Sequence, residues 1–76
     1  MGKIEYSIVS RGELRILFQG KIFKITGELV FSPPKFYADL NSLNGIEELN
    51  EQDRKKIIEY IEKDSSDKIG TKIIFD

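Results

Sequence analysis

Leu14-Arg15-Ile16-Leu17-Phe18-Gln19-Gly20-Lys21-Ile22-Phe23-Lys24-Ile25-Thr26 is the stretch on which the fold turns. Leu14, Ile16 and Phe18 alternate with Arg15, Leu17 and Gln19, a period of two that sends successive side chains to opposite faces of a strand. Gln19-Gly20-Lys21 predicts a tight turn. Beyond it Phe23, Ile25, Leu29 and Phe31 fall on one side of a longer strand, and Lys24, Thr26 and Glu28 on the other. Gly27 occupies the apolar side, where a bulge or bend is expected. Upstream, Ile4, Tyr6 and Ile8 alternate with Glu5 and Ser7 until Ser10-Arg11-Gly12 breaks the run. The reading is a three-stranded meander over residues 3–31.

Pro33-Pro34 ends the third strand, since neither proline can donate to a ladder. Phe36, Ala38 and Leu40 alternate with Tyr37 and Asp39, which predicts a short strand over 36–40, followed by a loop at Asn41-Ser42-Leu43-Asn44-Gly45. Asn50 is a good N-cap, and Glu51 and Asp53 complement the positive end of a helix over 51–63. Its apolar stripe is Ile57, Ile58 and Ile61, with Glu51–Lys55 and Glu59–Lys63 as favourable pairs on the wet side. Asp64-Ser65-Ser66-Asp67 reads as a loop, and a last strand spans 71–75 with Ile73 and Phe75 on one side. The expected fold is α+β in a single domain over residues 1–76: an antiparallel meander sheet of about five strands with one helix packed on it.

Composition excludes several classes. With 76 residues, the chain is near the lower limit for a core without staples, and no cysteine supplies a disulfide or a thiolate metal site. Neither His nor Cys is present, so the commonest general base and the best thiol nucleophile are missing. The carboxylates match no calcium loop and no paired-acid signature, and no Gly-rich turn leads into a helix as phosphate binding requires. Neither catalysis, a cofactor nor a metal is expected. Met1-Gly2 is followed at position 6 by Tyr, where a myristoylation site has Ser or Thr, and no apolar run approaches a bilayer's thickness. A cytoplasmic protein without membrane attachment is expected.

Charge is unevenly spread. Residues 1–35 carry six bases against three acids, and residues 36–76 six bases against ten acids. The bases lie singly along strands and form no dense patch, which disfavours nucleic acid. From Phe36 to Asp53 eighteen residues hold five acids and no Lys or Arg. A one-signed segment attracts cationic partners without requiring chemistry. Tyr37, Asp39, Glu47, Glu48 and Glu51 are therefore the candidate partner-binding residues, an aromatic anchor beside charges being typical of a binding hot spot. The plainer account is a strand residue half-buried at Tyr37 and helix-dipole complementation by the acids.

Thr26-Gly27-Glu28-Leu29, Phe36-Tyr37-Ala38-Asp39, Ser42-Leu43, Leu49, the helix Glu51-Gln52-Asp53-Arg54-Lys55-Lys56-Ile57-Ile58-Glu59-Tyr60-Ile61, and Thr71-Lys72-Ile73-Ile74-Phe75-Asp76 occur here in that order. In this order the chain resembles a family of small bacterial immunity proteins from polymorphic toxin systems, over nearly its whole length. The family pattern has an aromatic residue, usually Trp, and a following Pro before the helix, where this chain has Asn44-Gly45-Ile46-Glu47-Glu48. The resemblance implies a non-catalytic antidote that binds the toxin encoded beside it. Two other classes stand against it: an interaction or regulatory module using an exposed sheet edge, homodimers included, and a small enzyme or ligand carrier using Tyr6, Tyr37, Lys24 and the carboxylates. The first would lack a neighbouring toxin gene, and the second would need a deep pocket enclosing those residues.

Overall fold

Five strands, β1 (Ile4–Ser10), β2 (Glu13–Phe18), β3 (Lys21–Val30), β4 (Lys35–Ala38) and β5 (Lys72–Phe75), lie side by side in chain order. Two helices, α1 (Leu40–Asn44) and α2 (Glu51–Ile69), connect β4 to β5. The computed structural model describes residues 4–76, so Lys3, at the start of the expected meander, lies outside the described residues. The fold is α+β, as the alternation predicts. β1 to β4 pair antiparallel, whereas β5 runs parallel to β4, with Phe36 beside Ile73 and Ala38 beside Phe75. The expectation of a wholly antiparallel sheet is corrected at this last pair: a crossover through helices returns the chain in the direction it left.

The period-two alternation buries one face. Leu14, Ile16, Ile25, Phe36 and Ile73 from the strands meet Leu43, Ile57 and Ile61 from the helices, all without exposed surface. The β2–β3 turn places Gln19 and Gly20 at positive φ (53° and 78°), the hairpin geometry that matches strand twist. β3 pairs with β2 through Lys21–Thr26 and with β4 through Gly27–Val30. The irregularity in the ladders falls in β1, between Ile8 and Ser10, and the β3–β4 register runs on without a shift through Gly27. The reason for glycine there is close approach: a Cβ would sit 2.4 Å from Cε1 of Phe36 and 2.6 Å from the Tyr37 carbonyl oxygen. Phe31, expected on the apolar side of β3, lies past the strand's end, 62% exposed, with the Arg11 guanidinium 5.9 Å from its ring centre.

Two predicted boundaries move. The strand expected over 36–40 stops at Ala38, because the Asp39 carboxylate accepts the Asn41 N–H at 3.0 Å and starts α1 in the segment read as a loop. Leu40 and Leu43, three apart, turn inward on that helix, and Leu43 is fully buried. α2 begins as expected, with the Asn50 side chain accepting the Asp53 N–H at 2.7 Å. It continues through Asp64-Ser65-Ser66-Asp67, read as a loop, to Ile69, and Gly70 ends it in the left-handed region at φ 69°. Ile57, Ile61 and Ser65, at four-residue spacing, form the buried line of α2, and Ile58 is half-buried beside it. Among the described residues, Glu51–Lys55 and Glu59–Lys63 do not close into ion pairs, and Arg15 meets Glu13 at 2.8 Å.

Tertiary contacts hold the extra turns. The Ser65 hydroxyl accepts the N–H of Ile73 at 2.9 Å, and the Glu62 carboxylate accepts that of Phe75 at 2.9 Å, so α2 satisfies the outer edge of β5. The Tyr6 hydroxyl donates to Asp64 at 2.7 Å, tying the same turns to β1. Burial, and then the Asp64 carboxylate, push the Tyr6 pKa above its ordinary value, so the hydroxyl stays a donor. Ser65→Ala leaves the buried Ile73 N–H without its acceptor and is expected to cost about 1–3 kcal/mol. A urea midpoint equal to the parent's would show that this bond contributes nothing.

Candidate functional site

Tyr37 is the middle of the site. It lies on β4 between Glu28 of β3 and Ile74 of β5, on the sheet face opposite the core, and is 38% exposed. Asp39 follows two residues later, past the strand end, and its carboxylate is engaged as the α1 cap, with the Thr26 and Ser42 hydroxyls at 3.4 and 3.5 Å. The two were expected to project side by side from one strand. They instead line one open concavity of about 370 Å³ with Thr26, Glu28 and Asp76.

That concavity holds three carboxylates and no basic residue. Asp76 escapes the sequence reading, which assigns Glu28 only to the alternative face with Arg15 and Lys24, because both lie outside the base-free segment. The register brings Glu28 opposite Tyr37, and the parallel β5 brings Asp76 to the end of β4, where its N–H donates to the Ala38 carbonyl at 2.9 Å. Pairing the strands on either side of the proline turn would have found Glu28. No local signal marks Asp76, since a parallel partner is chosen by the crossover.

The remaining candidates do not line that concavity. Glu47 and Glu48 are exposed on the connection between the helices. Glu51 is exposed in the first turn of α2 and lines a separate groove of about 580 Å³ with Leu40, Asn44, Arg54, Lys55, Ile58 and Glu59. The base-free segment thus gives Tyr37 and Asp39 to one concavity and Glu51 to another. The second is not one-signed, because the following turn of α2 contributes Arg54 and Lys55.

A family model described as Immunity protein 74 matches residues 3–76. The chain belongs to that family. No curated protein and no solved structure matches it. For this member of the Immunity protein 74 family, the structure separates the residues a small enzyme would need to gather. Tyr6 lies in the core beneath α2 and bonded to Asp64, whereas Lys24 and Tyr37 point from the opposite face of the sheet. Among the described residues, no group of three or more acidic, His or Cys side chains is placed to hold a metal ion, and no helix is long and apolar enough to cross a membrane.

Proposed function

We propose that this chain binds a cognate toxin in the cytoplasm of the cell that makes both, and neutralises it by occupancy without catalysis. The observation that carries the surface assignment is the exposed Tyr37 ring set among Glu28, Asp39 and Asp76 with no cation between them. Membership of an immunity-protein family supports a protein partner. A basic cleft on the toxin is the complementary chemistry: the ring anchors, and the outlying charges of Glu47, Glu48 and Glu51 steer. Asp39, committed to its cap, orients the end of β4 and adds to the local field.

Mutation separates these roles. Glu47→Lys with Glu48→Lys is expected to slow association and flatten its salt dependence, with folding intact because both side chains are exposed. Tyr37→Ala is expected to act mainly by speeding dissociation. Surface plasmon resonance against the product of the adjacent toxin gene, with a growth-protection assay, reads both effects. Full protection and parental kinetics in the two variants would remove the acidic surface from the mechanism. The alternative face read from the sequence, with Arg15, Lys24 and Glu28, shares Glu28 with that surface, so Arg15 and Lys24, paired across β2 and β3, would be the next candidates.

A further inference from the structure

Both helices bury their apolar side chains against one face of the sheet, and the face that carries Tyr37 is left open, with Ser7, Arg15, Ile22, Lys24 and Thr26 exposed along it. Ile22, at 66%, is the most exposed large apolar side chain among the described residues, and Leu17 stands directly across from it on β2. With Glu5, Ser7 and Arg15 the two line an open concavity of about 290 Å³. A lone exposed apolar residue is ordinary, but a cross-strand pair lining a hollow offers a seat for an apolar side chain. Between this hollow and the acidic concavity lie Arg15 and Lys24, paired across β2 and β3. Arg15 is held by Glu13 at 2.8 Å, whereas among the described residues Lys24 forms no ion pair.

Resting on the toxin-binding reading of this chain, we infer that the toxin covers the open face from Tyr37 to Ile22, setting a cation over the acidic concavity, an acid against Lys24 and an apolar side chain on Ile22 and Leu17. A stable protein–protein contact buries about 800 Å² a side, a patch about 28 Å across, which one concavity cannot supply. Tyr37 stands near a corner of the face: β5 is the last strand beside it, and β3 ends two residues beyond its partner Glu28. The open face therefore continues from Tyr37 only toward β2, β1 and the β2–β3 turn. Ile22 precedes Glu28 by six residues on β3, about 20 Å along the strand, and so falls within a patch of that width. Charge sets the sense of the contact. The face changes sign from Glu28, Asp39 and Asp76 to Lys24, so a toxin surface basic throughout would be attracted at one end and repelled at the other. Its complement is a surface that is basic, then acidic, and ends in an apolar side chain.

Hydroxyl-radical footprinting of the full chain, with and without the product of the adjacent toxin gene, tests this alongside surface plasmon resonance. Ile22 and Tyr37 are expected to lose reactivity together when the toxin binds. Ile22→Ser and Lys24→Glu, both at exposed positions, should each weaken binding by about tenfold or more, with urea midpoints equal to the parent's. Lys56→Glu, exposed on α2 and carrying the same change of charge as Lys24→Glu, should alter binding by less than about threefold. Parental binding by Ile22→Ser overturns the inference. So does protection of only one of the two side chains: Tyr37 alone leaves the acidic concavity as the binding site, and Ile22 alone removes it. Protection of neither overturns both readings. Protection of Ile22 that grows with the concentration of the chain alone assigns the hollow to a second copy and overturns the inference as well.

Discussion

Ile61→Ala and Ile57→Ala should each destabilise the domain by about 2–5 kcal/mol, the range for truncating a fully buried isoleucine whose site cannot collapse. Both side chains sit on the inner line of α2, in one buried cluster with Leu14, Ile16, Ile25 and Phe36 of the sheet and Leu43 of α1. Small domains sit toward the low end of a total stability of about 5–15 kcal/mol, so either change removes a large share of it. Ile58→Ala provides the internal control. From the stripe alone Ile58 is expected to face the sheet, but four-residue spacing carries the buried line from Ile57 to Ile61 and leaves Ile58 half-buried over the groove beside Leu40. Its truncation should cost clearly less. Urea denaturation of the three variants decides the matter, and equal midpoint shifts for Ile58 and Ile61 would show that α2 is rotated from the position described.

Gly27→Ala is the second large effect. The new methyl would lie 2.4 and 2.7 Å from two ring carbons of Phe36 and 2.6 Å from the Tyr37 carbonyl oxygen. A flexible neighbour could yield, but Phe36 is fully buried and the Tyr37 carbonyl belongs to the backbone of β4, so relief requires β3 and β4 to part. Overpacking of a filled core costs typically about 1–3 kcal/mol, and a clash with backbone belongs at or beyond the top of that range. Gly27→Val should prevent folding. Adding Phe36→Leu should recover only part of the loss from Gly27→Ala, because the carbonyl contact remains, and thermal melts followed by circular dichroism would measure the recovery. A parental melting temperature for Gly27→Ala would contradict the close approach. Because Tyr37 rides on the same ladder, a folded Gly27→Ala protein should also bind its partner more weakly.

The site was half legible. Tyr37 and the five acids stand out in the sequence as a base-free run, and the structure leaves Tyr37, Glu47, Glu48 and Glu51 exposed. Asp39 looked equivalent to them and is instead a cap. That distinction needed the turn into α1, which the continued alternation of Phe36, Ala38 and Leu40 disguised as more strand. Glu28 and Asp76 complete the acidic concavity from two other strands, and their places depend on pairing between segments remote in the chain.

By itself the sequence determined the features that rest on local periodicity and local hydrogen bonding. These are the three-strand meander with its wet and dry faces, the break at the prolines, the start of α2 at Asn50 and the final strand. Each depends on side chains within a few residues of one another, so the signal is contained in the segment that uses it. Tertiary structure alone decided that Asp64 to Ile69 stay helical, that β5 runs parallel to β4 and that α2 closes one sheet edge and not the other. Ser65, Asp64 and Asp67 favour loops when considered locally, and the helix persists because Ser65 finds the Ile73 amide and Asp64 the Tyr6 hydroxyl, partners eight and fifty-eight residues away. Local preference among polar residues is worth tenths of a kcal/mol, about, and a buried hydrogen bond left unmade costs about 1–3, so the distant partners prevail.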